Sequence, residues 1–82
     1  ERDEIMATGR AIAERLRSLG STMRAAREAE GLSLADIASR SGIDEESLLR
    51  MESGKHAISL EILDRYSTSL GRELSIQILE PA

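Results

Sequence analysis

The sequence contains no cysteine, no tryptophan and no phenylalanine, and only one proline, one histidine and one tyrosine. Without cysteine there is no disulfide framework, no thiolate nucleophile and no cysteine zinc site, an absence that fits a reducing cytoplasm. With Tyr66 as the sole aromatic, the core has to come from leucine, isoleucine, methionine and alanine. That composition suits helix packed on helix. β-branched residues are sparse and helix formers dominate, so the all-α reading leads. No apolar run is long enough to cross a bilayer and no secretory pattern is visible, so no membrane role and a cytoplasmic location are expected. The opening Glu1-Arg2 without methionine leaves room for residues upstream.

Catalytic groupings are missing as well. His56 is the lone histidine and follows a glycine turn, where solvent or phosphate is a commoner neighbour than a substrate. No Ser-His-Asp or Cys-His set can be assembled. Asp44-Glu45-Glu46 lacks the spacing of a calcium loop, and no glycine-rich phosphate loop follows a strand. The expectation is a protein that is not an enzyme and needs no metal or cofactor.

A cationic surplus is also absent. Eleven lysines and arginines face fifteen acids, a net charge of −4. This counts against a free-standing nucleic-acid binder, whose affinity rests largely on phosphate contacts. The placement of the charges has to decide. At 82 residues there is room for one domain with a modest core, and dimerisation would add buried apolar surface.

What is present is a series of short helical patterns. Ile5, Gly9, Ile12, Leu16, Leu19 and Met23 recur at alternating spacings of four and three, a helical stripe that Glu14, Arg15 and Arg17 leave free. Around Ser18-Leu19-Gly20-Ser21 the helix either runs through or breaks with Ser18 as a cap, and a break or bend is favoured. The stripe before it reads as a helix packed on the domain or its dimer mate, ahead of a docking face for a partner or a coiled coil. A second helix runs over 21–30 to Gly31. Ser33 caps a third over 33–40, Asp44 a fourth over 44–52, and Ser59 a fifth that ends at Gly71. In the tail, Leu74, Ile76 and Ile78 alternate with Ser75, Gln77 and Leu79, the period of a strand. A lone strand leaves its amides unpaired, so the expected partner is the same strand of another copy across a twofold axis. An extended tail lying on the last helix is the alternative. The expected units are thus a helical extension over 1–18, a domain over 19–71 and a strand and tail over 72–82.

The helices over 33–40 and 44–52 are joined by a tight turn in which Gly42 can take positive φ and Ile43 pins the turn to the core, a helix-turn-helix unit. Ala38 is small where the two helices should approach. Leu32, Ile37, Ile43, Leu48, Met51, Ile58, Leu63 and Leu70 are the expected core.

The run Leu19-Gly20-Ser21-Thr22-Met23-Arg24-Ala25-Ala26-Arg27, then Gly31-Leu32-Ser33-Leu34-Ala35-Asp36-Ile37-Ala38, Ser41-Gly42-Ile43, Leu48, Arg50-Met51-Glu52-Ser53-Gly54-Lys55 and Ser59-Leu60-Glu61 resembles the Cro and phage-repressor family, also called XRE. The match spans residues 19–71. It implies a five-helix phage-repressor-like domain and a shielded ion pair between Arg27 and Glu52. The segment Leu70-Gly71-Arg72-Glu73-Leu74-Ser75-Ile76-Gln77-Ile78 is similar, over few residues, to the end of HipB-type antitoxins.

By the same resemblance Ser33 and Leu34 stand where the first helix of the unit grips phosphate. Asp44, Glu45, Glu46, Ser47, Leu49 and Arg50 stand where the second, recognition helix reads the major groove, and Lys55 and His56 lie in the following phosphate-contacting loop. The chain departs from the family at several of these positions. Leu34 replaces the usual glutamine, three acids replace small polar or basic residues, and Leu49 is apolar where a groove-facing side chain is expected. Acids near phosphate repel it. A carboxylate can still accept from cytosine N4, and acids also suit a helix N-terminus for purely structural reasons.

Two readings follow. The leading one is a dimeric, sequence-specific regulator of double-stranded DNA bearing a palindromic site, a repressor or an autoregulating antitoxin. The other turns the same fold to protein binding, with Leu34, Leu49 and the acidic turn holding a toxin, an activator or another regulator.

Overall fold

The computed structural model describes residues 2–77. Four helices follow one another: α1 (Arg2–Ala29), α2 (Leu34–Ser41), α3 (Glu45–Glu52) and α4 (Leu60–Ser69). The third helix is central: α1 and α2 both pack on α3, and α2 also packs on α4.

The first helix is one uninterrupted rod of 28 residues, about 42 Å long at about 1.5 Å per residue. The expected break at Ser18-Leu19-Gly20-Ser21 does not occur, so the described residues form four helices where five were expected. The apolar stripe explains the continuity, because Leu16, Leu19 and Met23 stay in phase across Gly20. Burial rises along it, from Ile12 at 51% exposed to Met23 at 4%. Gly20 is not a breaker but a crossing point. A Cβ placed there would lie 2.5 Å from the carbonyl oxygens of Met51 and Glu52, so only glycine lets α1 lie this close to the end of α3.

The three short helices begin where local chemistry says they should. Ser33 accepts from the Asp36 amide, and Asp36 accepts in return from the Ser33 amide, a reciprocal capping box. Asp44 and Ser59 accept from the amides of Ser47 and Ile62. In the turn from α2 to α3, Gly42 takes φ 75° and donates to the Ala38 carbonyl. The Ser41 hydroxyl donates to the Ile37 carbonyl and accepts from the Ile43 amide, which ties the turn down from the other side.

The core is Met23, Ile37, Ile43, Leu48, Met51, Tyr66 and Leu70, with Leu32, Leu34, Ala38, Ile58 and Leu63 packed around it. Ile37 and Leu48 are fully buried, each contributing about 1.5–3 kcal/mol by removal from water. The largest fully buried side chain is Tyr66. An all-aliphatic centre was the expectation; the single aromatic occupies it instead, because its ring fills volume and its hydroxyl finds partners.

The expected C-terminal strand is not formed by residues 72–77, which carry neither helix nor strand. A strand is defined by pairing, and among the described residues no second strand runs beside this segment. Leu74 and Ile76 instead line an apolar groove of about 440 Å³ with Leu19, Met23, Leu63 and Leu70. Arg72 anchors the start of the segment by donating to Glu30 at 2.9 Å. Ile78 and Leu79 lie outside the described residues.

Candidate nucleic-acid interface

The placement of α3 is set by a polar knot between α1, α3 and α4. Arg27 Nε and Nη2 donate to the two carboxylate oxygens of Glu52 at 2.7 and 2.9 Å. The third nitrogen, Nη1, donates to the Leu32 carbonyl at 2.9 Å. The Tyr66 hydroxyl stands 2.8 Å from Glu52 Oε2 and 2.9 Å from the Met23 carbonyl. The Glu52 side chain is 3% exposed and that of Arg27 13%, and among the described residues no buried side-chain polar atom lacks a partner. A buried ion pair is tolerable only when its remaining hydrogen-bonding capacity is met, and here it is. Hydrogen bonding to Glu52 holds the Arg27 charge more firmly than usual, against the opposing effect of burial. Burial first, and the bond to the Glu52 carboxylate second, push the Tyr66 phenol well above its ordinary value.

With α3 pinned by its last turn, its first turn points outward. Asp44 accepts from the Ser47 amide at 3.0 Å and from the Ser47 hydroxyl at 2.8 Å. Those bonds hold the Asp44 carboxyl below its usual value, so it is ionised. Ser47, half-buried, is thereby engaged with the cap and not with the outer face. Glu45, Glu46, Leu49 and Arg50 are all exposed, Leu49 at 55%. Arg50 Nη2 lies 3.1 Å from Glu46 Oε1 one turn earlier, an exposed pair.

Leu34, at the start of α2, comes together with Leu49. The two line one shallow pocket of about 300 Å³, shared with Arg24, Arg27, Glu52 and Ser53. Arg24 is itself 3.5 Å from Glu28. Ser33 is exposed beside it, with its hydroxyl used in the α2 cap. Asp36, which the sequence reading did not single out, adds a carboxylate to that first turn; its hydrogen bonds from Ser33 hold it below its ordinary value. The signal was there in the Ser-x-x-Asp spacing of a capping box.

Lys55 and His56 are exposed on the loop after α3. His56 borders a separate groove of about 420 Å³ with Asp44, Ser47, Ser59 and Arg65, so it sits on the α4 side of the acidic cap. The loop is held by the Lys55 amide, which donates to the Arg50 carbonyl at 2.9 Å. Leu74 and Ile76 belong to the α1–α4 groove and not to this face. Among the described residues no cluster of His, Cys, Asp or Glu could hold a metal ion, and no helix is long and apolar enough to cross a membrane.

The exposed outer turn of α3, flanked by the start of α2 and the loop after α3, is the geometry by which a helix-turn-helix offers side chains to the major groove. Neither a curated protein nor a solved structure matches the chain. A helix-turn-helix family model, HTH_3, matches residues 23–77, more than half of the chain and all of α2, α3 and α4. The chain belongs to the XRE-type helix-turn-helix family, a family of DNA-binding regulators.

Proposed function

We propose that the chain is a sequence-specific regulator that binds a palindromic site in double-stranded DNA as a dimer, acting as a repressor or an autoregulating antitoxin. The observation that carries this reading is the rigid outward presentation of Glu45, Glu46, Leu49 and Arg50 on α3, held by the Arg27–Glu52–Tyr66 knot. Major-groove reading needs side chains preset within a fraction of an ångström, and a helix locked at its far end supplies that. Glu45 and Glu46 would accept from exocyclic amino groups, cytosine N4 above all, and Leu49 would meet a thymine methyl. Ser33, Leu34, Lys55 and His56 would lie along the flanking backbone, with Asp44 and Ser47 keeping the first turn of α3 in shape. Two copies would set their α3 helices about 34 Å apart on successive major grooves. Leu74, Ile76 and Ile78 are assigned to the contact between copies, a role favoured by Ile76, which is 59% exposed.

The test is a salt titration of binding to random-sequence duplex, with light scattering on the same sample. A dimer that binds at micromolar concentration or tighter, and steeply less as salt rises, supports the reading.

A specific observation favours a second reading. Half-buried Leu34 and exposed Leu49 share one pocket, lined also by Arg24, Arg27, Glu52 and Ser53. Leu49, 55% exposed beside Leu34, offers an apolar contact that suits a protein partner such as a toxin or an activator. A dimer without duplex binding even at low salt would transfer the assignment to that reading.

A further inference from the structure

The outward row of α3 has a charge problem. Glu45 and Glu46 face any approaching phosphate, and Arg50 is answered by Glu46. Nearby, Arg24 is answered by Glu28, and Arg40 donates to the Ser69 carbonyl at 3.2 Å. If the DNA reading holds, attraction to the backbone has to come from other cations at the edge of this face.

Two such cations adjoin each other. Gly54, in the loop after α3, takes φ 71° and lies against the long helix: a Cβ there would sit 2.6 Å from Arg17 Cα and 2.7 Å from Arg17 Cγ. The stem of Arg17 therefore crosses the backbone immediately before Lys55. Both residues are exposed, and neither takes part in an ion pair among the described residues. Glu14, one turn before Arg17, is exposed too and makes no ion pair with it among the described residues. Positions 17, 20 and 24 fall on one side of α1 by helical spacing. Gly20 on that side touches the end of α3, and Arg24 reaches the Leu34–Leu49 pocket. Arg17 thus lies on the α3 side of the rod, one turn before the crossing.

We infer that Arg17 and Lys55 together form a phosphate-binding clamp for the DNA backbone, carried partly on α1 ahead of the family-matched segment. The inference rests on the DNA-binding reading above. Each cation contributes by neutralising a phosphate and releasing condensed counterions, which favours every sequence equally. The clamp supplies attraction at the flank while the acidic row of α3 selects among base edges.

The experiment compares the intact chain with Arg17→Gln, Lys55→Gln, the double variant and Arg15→Gln, each titrated with salt against random-sequence duplex. Arg15 is the control: it carries the same charge and is exposed, but lies about 200° around the helix from Arg17 at about 3.6 residues per turn. The expected result is a log–log salt slope shallower by about 0.9 for each clamp residue removed, and by about twice that in the double variant, with Arg15→Gln unchanged. A wild-type slope in Arg17→Gln, or an equal loss in Arg15→Gln, overturns the clamp and leaves the DNA reading standing. Absence of duplex binding by the unmutated chain overturns both.

Discussion

Arg27 and Glu52 meet in two parallel hydrogen bonds of 2.7 and 2.9 Å across 25 residues of sequence, with the carboxylate almost fully buried. Removing one partner strands the other in a site with little water. Arg27→Met or Glu52→Met alone should cost about 3–5 kcal/mol, and the double replacement should cost clearly less than the sum. Urea denaturation of the four-member cycle measures this. Additive losses would mean that the pair does not act as a unit.

Gly9 and Gly20 lie on the same helix and should respond to alanine in opposite ways. Nothing lies within 4 Å of a Cβ at Gly9, so Gly9→Ala should stabilise by up to about 1 kcal/mol through helix propensity alone. At Gly20 the added methyl would meet the Met51 and Glu52 carbonyls at 2.5 Å and the Glu52 carbonyl carbon at 2.8 Å. These are backbone atoms that cannot rotate away. Gly20→Ala should lower Tm despite the better propensity, and a rise in Tm would mean that α1 does not cross α3 here.

Stability should fall at both pH extremes, for different reasons. Asp36 and Asp44 have carboxyls held below the ordinary 3.8 by hydrogen bonds from Ser33 and Ser47 respectively. The native state therefore binds fewer protons than the unfolded one near that value. The stabilisation from these caps is present above pH 3.8 and disappears as pH falls through the depressed values. Tyr66 is the mirror case. Its phenol is raised above 10.0 by burial and by Glu52, so its contribution is complete below pH 10.0 and is lost as pH climbs beyond it. Asp44→Asn, which keeps a capping side chain, should weaken the acid-side decline, and Tyr66→Phe should remove the phenol's share of the alkaline one. Thermal melts across the pH range check both.

Leu49 gives the DNA reading a chemical fingerprint. On a selected operator, replacing the thymine opposite Leu49 by uracil removes one methyl and should weaken binding about fourfold per half-site, using about 0.8 kcal/mol for a buried methyl-sized group. Leu49→Ala should be indifferent to that change. Equal sensitivity in both proteins would remove Leu49 from the base-reading row.

What could be read from the sequence was mostly what is local. Ser33, Asp44 and Ser59 declare their helices because a cap and the amide it accepts from are three residues apart, as at Ser33–Asp36 and Asp44–Ser47. Gly42 declares the turn for the same reason. The Arg27–Glu52 contact could not come from spacing, and only the resemblance pointed to it. Gly20 was misread because its meaning depends on where α3 lies: within α1 it is a weak point, and against the Met51 carbonyl it is a requirement. Tyr66 was overlooked for a similar reason, since one aromatic has no periodicity to betray it. Leu74 and Ile76 alternate like a strand, yet alternation specifies a face and not a partner.

Tyr66 has one further consequence. It is the only tyrosine in a chain without tryptophan or phenylalanine, and its ring lies where α1, α3 and α4 are tied together. All of this 82-residue chain's aromatic near-ultraviolet signal therefore originates at that junction and none at the outer face of α3. Loosening of the helix that presents the reading row should change the optical signal directly. Occupation of that row without such loosening should leave it silent and require a label on the DNA.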